Sequence, residues 1–230
     1  MKKLLAIIFI LLLIILGIFI YRKNINDGNV NVSEIEQIEQ YIKKIYLWPE
    51  VTDEALPTFD SINNAPELWI WEVVKRDFEK YELDYDEIQD KANEIFGKQF
   101  TKQFPKEGSD YIYYSEENGK YLTSGIGLDT EDDLFLIKDI KKSSKGYEVE
   151  IVEYRIDYEE EMMENSEETE YDVYIKNTDE DIIATIKNTE VESKSINIVK
   201  ENIDKFSIKK VNLIKDGEKV YVESVQDMST

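Results

Sequence analysis

The chain contains no cysteine and no histidine, and these two absences exclude several classes of function. Without cysteine there is no disulfide framework, no thiolate nucleophile, no acylated lipoprotein cysteine and no thiolate metal site. Without histidine there is no Ser-His-Asp triad, no imidazole base and no histidine-ligated metal centre. The commonest nucleophilic and metal-dependent mechanisms are therefore closed to this chain.

Basic residues are also scarce, since the 230 residues include 28 Lys and Arg against 50 Asp and Glu, a formal charge of −22. This balance argues against nucleic acid as a partner, because phosphates demand Lys and Arg. The acidity keeps the protein soluble and repels anionic polymers and lipid headgroups. A protein partner is expected to present a basic face, and such binding should weaken as salt rises.

Charged residues are missing from one long stretch near the N-terminus, Leu4 to Ile20. Lys2 and Lys3 precede this apolar run, and Arg22 and Lys23 follow it. As a helix its residues would extend roughly 26 Å, the short end of what spans a bilayer core of about 30 Å. We therefore interpret residues 1–23 as an uncleaved signal anchor that forms a transmembrane helix, with the membrane as partner of residues 4–20.

Two other interpretations of this run stay open, a cleaved signal peptide and a buried helix of a soluble fold. A cleavage site needs small residues, whereas the run ends in bulky and then charged ones. Positively charged residues flank the apolar run on both sides, so the positive-inside rule favours a cytoplasmic N-terminus only narrowly. We expect a single-pass protein of the cell membrane whose remaining residues, with a charge near −26, lie outside the cytoplasm.

The next part of the chain predicts a linker and three helices. Residues 24–32 are polar and read as a linker, and an acidic domain is expected over residues 33–230. A capping box at Ser33-x-x-Glu36 and isoleucines at helical spacing predict the first helix over 33–46. The second helix is expected to begin near Pro66. The third is expected over 86–96, with Gly97 as its C-terminal stop.

From residue 109 onward, alternating apolar residues separated by turn residues predict strands in hairpins. Asn118-Gly119 and Asp216-Gly217 are typical of tight hairpin turns. The predicted strands cover residues 111–115, 120–124, 134–140, 147–158, 171–176, 182–187, 206–215 and 219–225. An irregularity is expected at Val152-Glu153, and residues 192–204 predict a short helix.

Together these elements predict an α+β fold in which about three helices pack on one curved antiparallel sheet of about eight strands. The order of elements over residues 33–226 resembles the NTF2-like (cystatin-like) superfold. That superfold hosts enzymes, binding modules and accessory domains, so the resemblance implies no particular activity. The residue composition is typical of an AT-rich genome. With the predicted anchor, it makes the chain resemble acidic, singly anchored surface proteins of low-GC Gram-positive bacteria.

Two acidic segments are candidates for binding cations. Asp129, Glu131, Asp132 and Asp133 form a cluster of hard oxygen ligands that suits Ca²⁺. The cluster fails the EF-hand pattern, because the sixth and twelfth positions hold Leu134 and Ile140 rather than Gly and Glu. Residues 159–168 carry a like-charge block. Solvated turns and a self-repelling loop are the alternative interpretations.

An aromatic set is the candidate for a sugar or peptide groove, in a chain with 15 Tyr and 3 Trp. Ordinary packing is the alternative interpretation. Because Trp69 and Trp71 are two residues apart on a helix, we expect one of them to lie at the rim. The candidate ligand-binding residues are Trp69, Trp71, Tyr111, Tyr113 and Tyr121, with Tyr114 on the opposite strand face.

Enzymatic motifs are incomplete. Ser207-x-x-Lys210 matches the SxxK of penicillin-binding proteins, but it falls in a predicted strand and lacks the partner motifs. Gly125-x-Gly127 is only a fragment of a dinucleotide-binding loop. We therefore expect no catalytic residue, no resident cofactor apart from a possible Ca²⁺ ion, and a non-catalytic binding or accessory domain. A carboxylate-based hydrolase of cell-wall sugar or peptide and a divalent-cation-binding domain are the alternatives.

Overall fold

The computed structural model describes residues 30–47, 54–78, 82–103, 112–123, 135–158, 172–177 and 181–228, which form an α+β protein as predicted. Its helices are α1 (Val32–Ile45), α2 (Glu67–Lys75), α3 (Tyr85–Phe96) and α4 (Val191–Glu201). Its strands are β1 (Glu82–Asp84), β2 (Ile112–Ser115), β3 (Lys120–Thr123), β4 (Phe135–Lys142), β5 (Gly146–Glu153), β6 (Arg155–Tyr158), β7 (Asp172–Lys176), β8 (Ile182–Lys187), β9 (Ile208–Asp216) and β10 (Lys219–Asp227).

The strands form three antiparallel sheets, so the predicted single sheet of about eight strands is wrong. One sheet has four strands in the order β10-β9-β5-β4. Two sheets of three strands have the orders β1-β3-β2 and β6-β7-β8. Helices α1, α2 and α3 pack in one core with the four-stranded sheet, whereas α4 packs against the β6-β7-β8 sheet.

The sheets separate at the end of β5, where consecutive residues are buried in different hydrophobic cores. Ile151 and Val152 are both buried, yet successive residues of a strand point to opposite faces. Ile151 belongs to the larger hydrophobic core, and Val152 and Tyr154 belong to a smaller one. The predicted strand over 147–158 therefore breaks at Tyr154, where the chain leaves the four-stranded sheet and continues as β6 of another. The irregularity predicted at Val152-Glu153 lies at this break.

The predicted hairpins are confirmed as β2–β3, β4–β5, β7–β8 and β9–β10. The turns of the first and last contain Gly119 and Gly217, with φ angles of 64° and 65°. This left-handed conformation is strained for residues with a side chain, so glycine suits both positions. Gly119 is the last residue of a four-residue turn, and Gly217 is the first of the two-residue turn Gly217-Glu218. The predicted short helix after residue 192 is also confirmed, as α4.

Helix α1 begins earlier than predicted, because a different capping box stabilises it. The backbone N–H of Glu34 donates to Asn31 Oδ1 at 2.9 Å, and the backbone N–H of Asn31 donates to Glu34 Oε2 at 3.1 Å. The prediction of Ser33 and Glu36 as the capping pair is wrong, and Val32, assigned to the linker, is the first helical residue. At the end of α3, Gly97 has a φ of 78° and terminates the helix as predicted.

Two hydrophobic cores lie side by side. The larger one joins α1, α2 and α3 to the four-stranded sheet and to Tyr121 of β3. The smaller one joins α4 to the β6-β7-β8 sheet and to Phe206. Tyr46, directly after α1, packs against both cores, and its ring centroid lies 5.0 Å from that of Phe135.

The predicted membrane segment, residues 4–20, lies outside the described residues, as do residues 24–29 of the predicted linker. Among the helices that the structure does describe, none is both long enough and apolar enough to cross a membrane.

Candidate functional site

Three of the five aromatic residues predicted to bind a ligand lie inside the larger core. Trp69, Trp71 and Tyr121 are only 1%, 2% and 0% exposed. Trp69 Nε1 donates to the carbonyl of Ile45 at 3.1 Å, and the rings of Trp71 and Tyr121 lie 4.6 Å apart. The expectation that one of the two tryptophans lies at the rim is wrong, because α2 is buried on both of these sides.

The other two aromatic candidates are Tyr113 and Tyr111. Tyr113 belongs to β2, and Tyr111 lies outside the described residues. In the structure the three described side chains pack the core and present no surface to a ligand. An aromatic binding surface on this hairpin stays a prediction.

The predicted cation ligands Asp129, Glu131, Asp132 and Asp133 lie outside the described residues, and so does the acidic run 159–168. Within the described ranges, no three acidic side chains come together in a way that could hold a metal ion. The calcium site at 129–133 therefore stays a prediction.

The structure contains a groove of about 280 Å³ between α1 and α4, which we call the α1–α4 groove. Its floor is apolar and comes from the start of β4, the break between β5 and β6, and α4. The floor residues are Phe135, Leu136, Ile137, Tyr154 and Val199, of which all but the half-buried Leu136 are buried.

Two helix faces form the walls of this groove. Ile35, Glu39 and Lys43 of α1 are spaced four residues apart and so share one face. Ile196 and Lys200 of α4 are also four residues apart and form the other wall. The helices stay apart because the first belongs to the larger core and the second to the smaller one, which leaves a cleft where the cores meet.

The walls of the α1–α4 groove differ in character from its floor. Ile196 is 46% exposed, one of the few large apolar side chains left in solvent among the described residues. Glu39, Lys43 and Lys200 are exposed at the edge of the groove. An open apolar floor with a few charged groups around it is the usual form of a small-ligand site.

A buried ion cluster stands close to this groove, at the junction of the two cores. Lys209 of β9 is 5% exposed, and its Nζ lies 2.9 Å from Glu54 Oε2 and 3.3 Å from Glu153 Oε2. Lys209 Nζ also donates to the carbonyl of Leu56. Burial raises the pKa of Glu153, and the nearby Lys209 opposes that rise.

Tyr46 connects this ion cluster to the groove floor. Its hydroxyl hydrogen-bonds Glu153 while its ring contacts Phe135. Burial is the main cause that raises the pKa of the Tyr46 hydroxyl, so it stays protonated at neutral pH. The cluster holds the end of β5, the segment after Glu54 and the floor of the groove in one arrangement.

A second charged network fixes the start of α1 to the four-stranded sheet. Glu34 Oε1 accepts hydrogen bonds from Tyr147 Oη at 2.6 Å and from Lys215 Nζ at 2.8 Å, and Lys142 Nζ lies 3.2 Å from Glu34 Oε2. Lys215 and Tyr147 hold the pKa of the Glu34 carboxyl well below its usual range. The network fixes the helix that carries one wall of the groove.

One carboxyl group of the core has no such partner. Glu72 of α2 is 1% exposed, and its Oε1 makes no hydrogen bond among the described residues. Burial raises the pKa of this carboxyl, and Lys75 opposes the rise only in part. The group is placed in the packed core rather than in the α1–α4 groove, so we assign it no binding role.

Sequence reasoning did not find the α1–α4 groove. Ile35, one of the isoleucines whose spacing predicts the first helix, is half-buried, packs against the larger core and also lines the groove. The groove joins residues 35–43, 135–137, 154 and 196–200, which are far apart in the chain. The available signal was Ile196, an apolar residue among polar neighbours in the predicted short helix.

Comparisons of this chain with models of protein families, with curated proteins and with solved structures found no match. The functional assignment therefore depends on the chemistry of the described residues.

Proposed function

We propose that this chain is a non-catalytic binding domain, that the α1–α4 groove is its ligand site, and that residues 4–20 attach it to a membrane. The groove is the observation that supports the proposal, because it is a cleft with an apolar floor beside Ile196, which is itself exposed. Small ligands usually bind in clefts that are lined mainly by apolar side chains with a few charged groups.

The chemistry of the groove favours binding over catalysis. A carboxylate-based hydrolase needs two carboxyl groups that face each other across a cleft. The described lining of the groove contains one, Glu39. The carboxyl groups with clearly shifted pKa values, such as Glu34, Glu72 and Glu153, do not line the groove and belong to other parts of the fold.

A labelling experiment tests the ligand site. The full-length chain in lipid nanodiscs is irradiated with a neutral decanol analogue that carries a diazirine, and labelled peptides are mapped by mass spectrometry. We expect label on residues 135–137 and 196–200, because these supply much of the apolar lining. Ile196→Glu should reduce that label several-fold, since it places a charge against the alkyl chain.

The matched control is Ile182→Glu, because Ile182 of β8 is 51% exposed and does not line the groove. This variant makes the same chemical change and should leave the label unchanged. Wild-type chain without label on the two groove segments, or an equal loss in both variants, would refute the groove as the ligand site.

Membrane attachment and orientation are tested on intact cells. We expect the chain in the membrane fraction, and we expect externally added protease to digest the acidic domain before lysis. Recovery in the soluble fraction would refute attachment. Protection of a membrane-bound domain until lysis would refute the outward orientation.

A further inference from the structure

The turn between β2 and β3 contains the only Asn-Gly pair of the chain, Asn118-Gly119. Both residues are exposed. The backbone N–H of Asn118 donates to Ser115 Oγ at 3.4 Å, but its side-chain amide makes no hydrogen bond among the described residues. The amide carbon of this side chain is therefore open to water and to attack by a neighbouring group.

The other described asparagines differ from Asn118 in this respect. Asn188 has an interaction elsewhere in the chain, and the side chains of the others make hydrogen bonds. Asn197 is the best comparison, because it is also exposed. Its Nδ2 donates to the carbonyl of Ser193 at 3.4 Å, and the branched Ile198 follows it.

A free asparagine side chain before glycine can react with its own backbone. The nitrogen of Gly119 forms a bond to Cγ of Asn118, and the side-chain nitrogen leaves with the displaced proton as ammonia, which gives a cyclic succinimide. Water then opens this ring at one of its two carbonyls to give aspartate or isoaspartate, without an oxidant or reductant. Glycine favours the first step because no Cβ crowds the attacking nitrogen.

The fold of the turn slows this reaction without preventing it. The backbone N–H of Gly119 donates to the carbonyl of Ser115 at 2.8 Å, so the turn must open before this nitrogen can attack. Exposed turns open locally at a small fraction of the free energy of global unfolding. The reaction in the folded chain should therefore be slower than in an unfolded peptide, and faster than at the hydrogen-bonded asparagines.

We propose that Asn118 is a site of spontaneous deamidation in the folded chain and that isoaspartate at this position loosens the β2–β3 hairpin. Isoaspartate adds one methylene to the main chain, whereas the hairpin aligns Ser115 with Lys120 across the turn. Tyr121 follows directly on β3, is fully buried and lies 4.6 Å from the ring of Trp71. A changed register at the turn therefore reaches the larger core. This inference is independent of the α1–α4 groove.

A time course of the full-length chain in mildly alkaline buffer made with heavy-oxygen water tests the reaction. Peptide mass spectrometry measures the replacement of NH₂ by OH at each asparagine, and chromatography separates isoaspartate from aspartate. We expect Asn118 to react several-fold faster than Asn197 and every other described asparagine. It should react several-fold slower than the same residue in a synthetic peptide of residues 112–123.

The variant Asn118→Asp is the matched control for the structural effect, because it has the new charge with an ordinary main chain. The isoaspartate form, purified from aged wild-type chain, should unfold at a lower urea concentration than this variant. An Asn118 that stays intact while the peptide reacts to completion, or that reacts more slowly than another described asparagine, would overturn the deamidation site. Equal stability of the isoaspartate form and Asn118→Asp would overturn the effect on the hairpin.

Discussion

At the scale of single residues, Glu72 is a carboxyl group whose surroundings disfavour its charged form. Its carboxyl is buried in the larger core, and Oε1 makes no hydrogen bond among the described residues. Because burial raises its folded-state pKa, the folded protein binds the proton more tightly than the unfolded chain does. The destabilisation therefore grows as pH rises above the unfolded value of about 4.3 and is fully present above the folded pKa.

Replacement by a residue of similar shape without charge should relieve this cost. We expect Glu72→Met to raise the free energy of unfolding by about 1–2 kcal/mol near neutral pH, because it removes an unsatisfied buried carboxyl and keeps helix propensity. The gain should shrink near pH 4, where the wild-type carboxyl is protonated. Urea unfolding at both pH values measures it, with the exposed Glu201→Met as control.

A Glu72→Met protein that is less stable than the wild type at neutral pH would contradict this prediction. The result would mean that the carboxyl contributes a favourable interaction in the folded protein. A gain of the same size at both pH values would instead indicate better packing rather than removal of the charge.

At the scale of elements, the attachment of α1 to the four-stranded sheet depends on Glu34. This side chain belongs to the capping box of α1 and also accepts hydrogen bonds from Tyr147 of β5 and Lys215 of β9. Since the network lowers the folded-state pKa, its contribution is present above the unfolded value of about 4.3. The contribution is lost as pH falls below that value towards the folded pKa.

We expect Glu34→Gln to lower the free energy of unfolding by about 1–3 kcal/mol near neutral pH, since it removes hydrogen bonds to a charged group. Between about pH 5 and pH 3 the variant should lose less stability than the wild type. Thermal and urea unfolding across this range measure both effects, with the exposed Glu39→Gln on the same helix as control. Parallel pH profiles for Glu34→Gln and wild type would contradict the assignment.

A second junction between elements is the buried pair of Lys209 and Glu153. Removing one partner of a buried ion pair leaves the other charge without compensation, which typically costs about 3–5 kcal/mol. We expect Lys209→Met to destabilise the protein by about 3 kcal/mol, at the lower end because Glu54 is half-exposed. Adding Glu153→Gln should recover part of the loss. A double-mutant cycle in urea measures the coupling, and additive effects of the two changes would contradict it.

The elements themselves were largely predictable from the sequence, whereas the way they combine was not. Gly119 and Gly217 help to specify their hairpins because each provides the left-handed residue of a short local turn. The pairing of β5 with β9, for example Val149 with Val211, depends on segments far apart in the chain. No local pattern encodes that contact, so the strands were assigned to one sheet instead of three.

At the scale of the whole molecule, the groove results from the meeting of two cores. Helix α1 packs on the larger core, α4 on the smaller one, and the chain passes between them at Ile151 and Val152. The lining residues are unremarkable in the sequence, because each is an ordinary member of its own helix or strand. Only the tertiary arrangement brings them together. Sequence patterns favoured the aromatic residues instead, of which the structure places Trp69, Trp71 and Tyr121 in the core.

The most direct test of the groove as a ligand site is native mass spectrometry of the full-length chain purified from the cells that produce it. We expect a fraction of the wild-type chain to carry one non-covalently bound small molecule. That adduct should be lost in Ile196→Glu and kept in Ile182→Glu. A wild-type chain free of any adduct, or an adduct that persists unchanged in Ile196→Glu, would contradict the account.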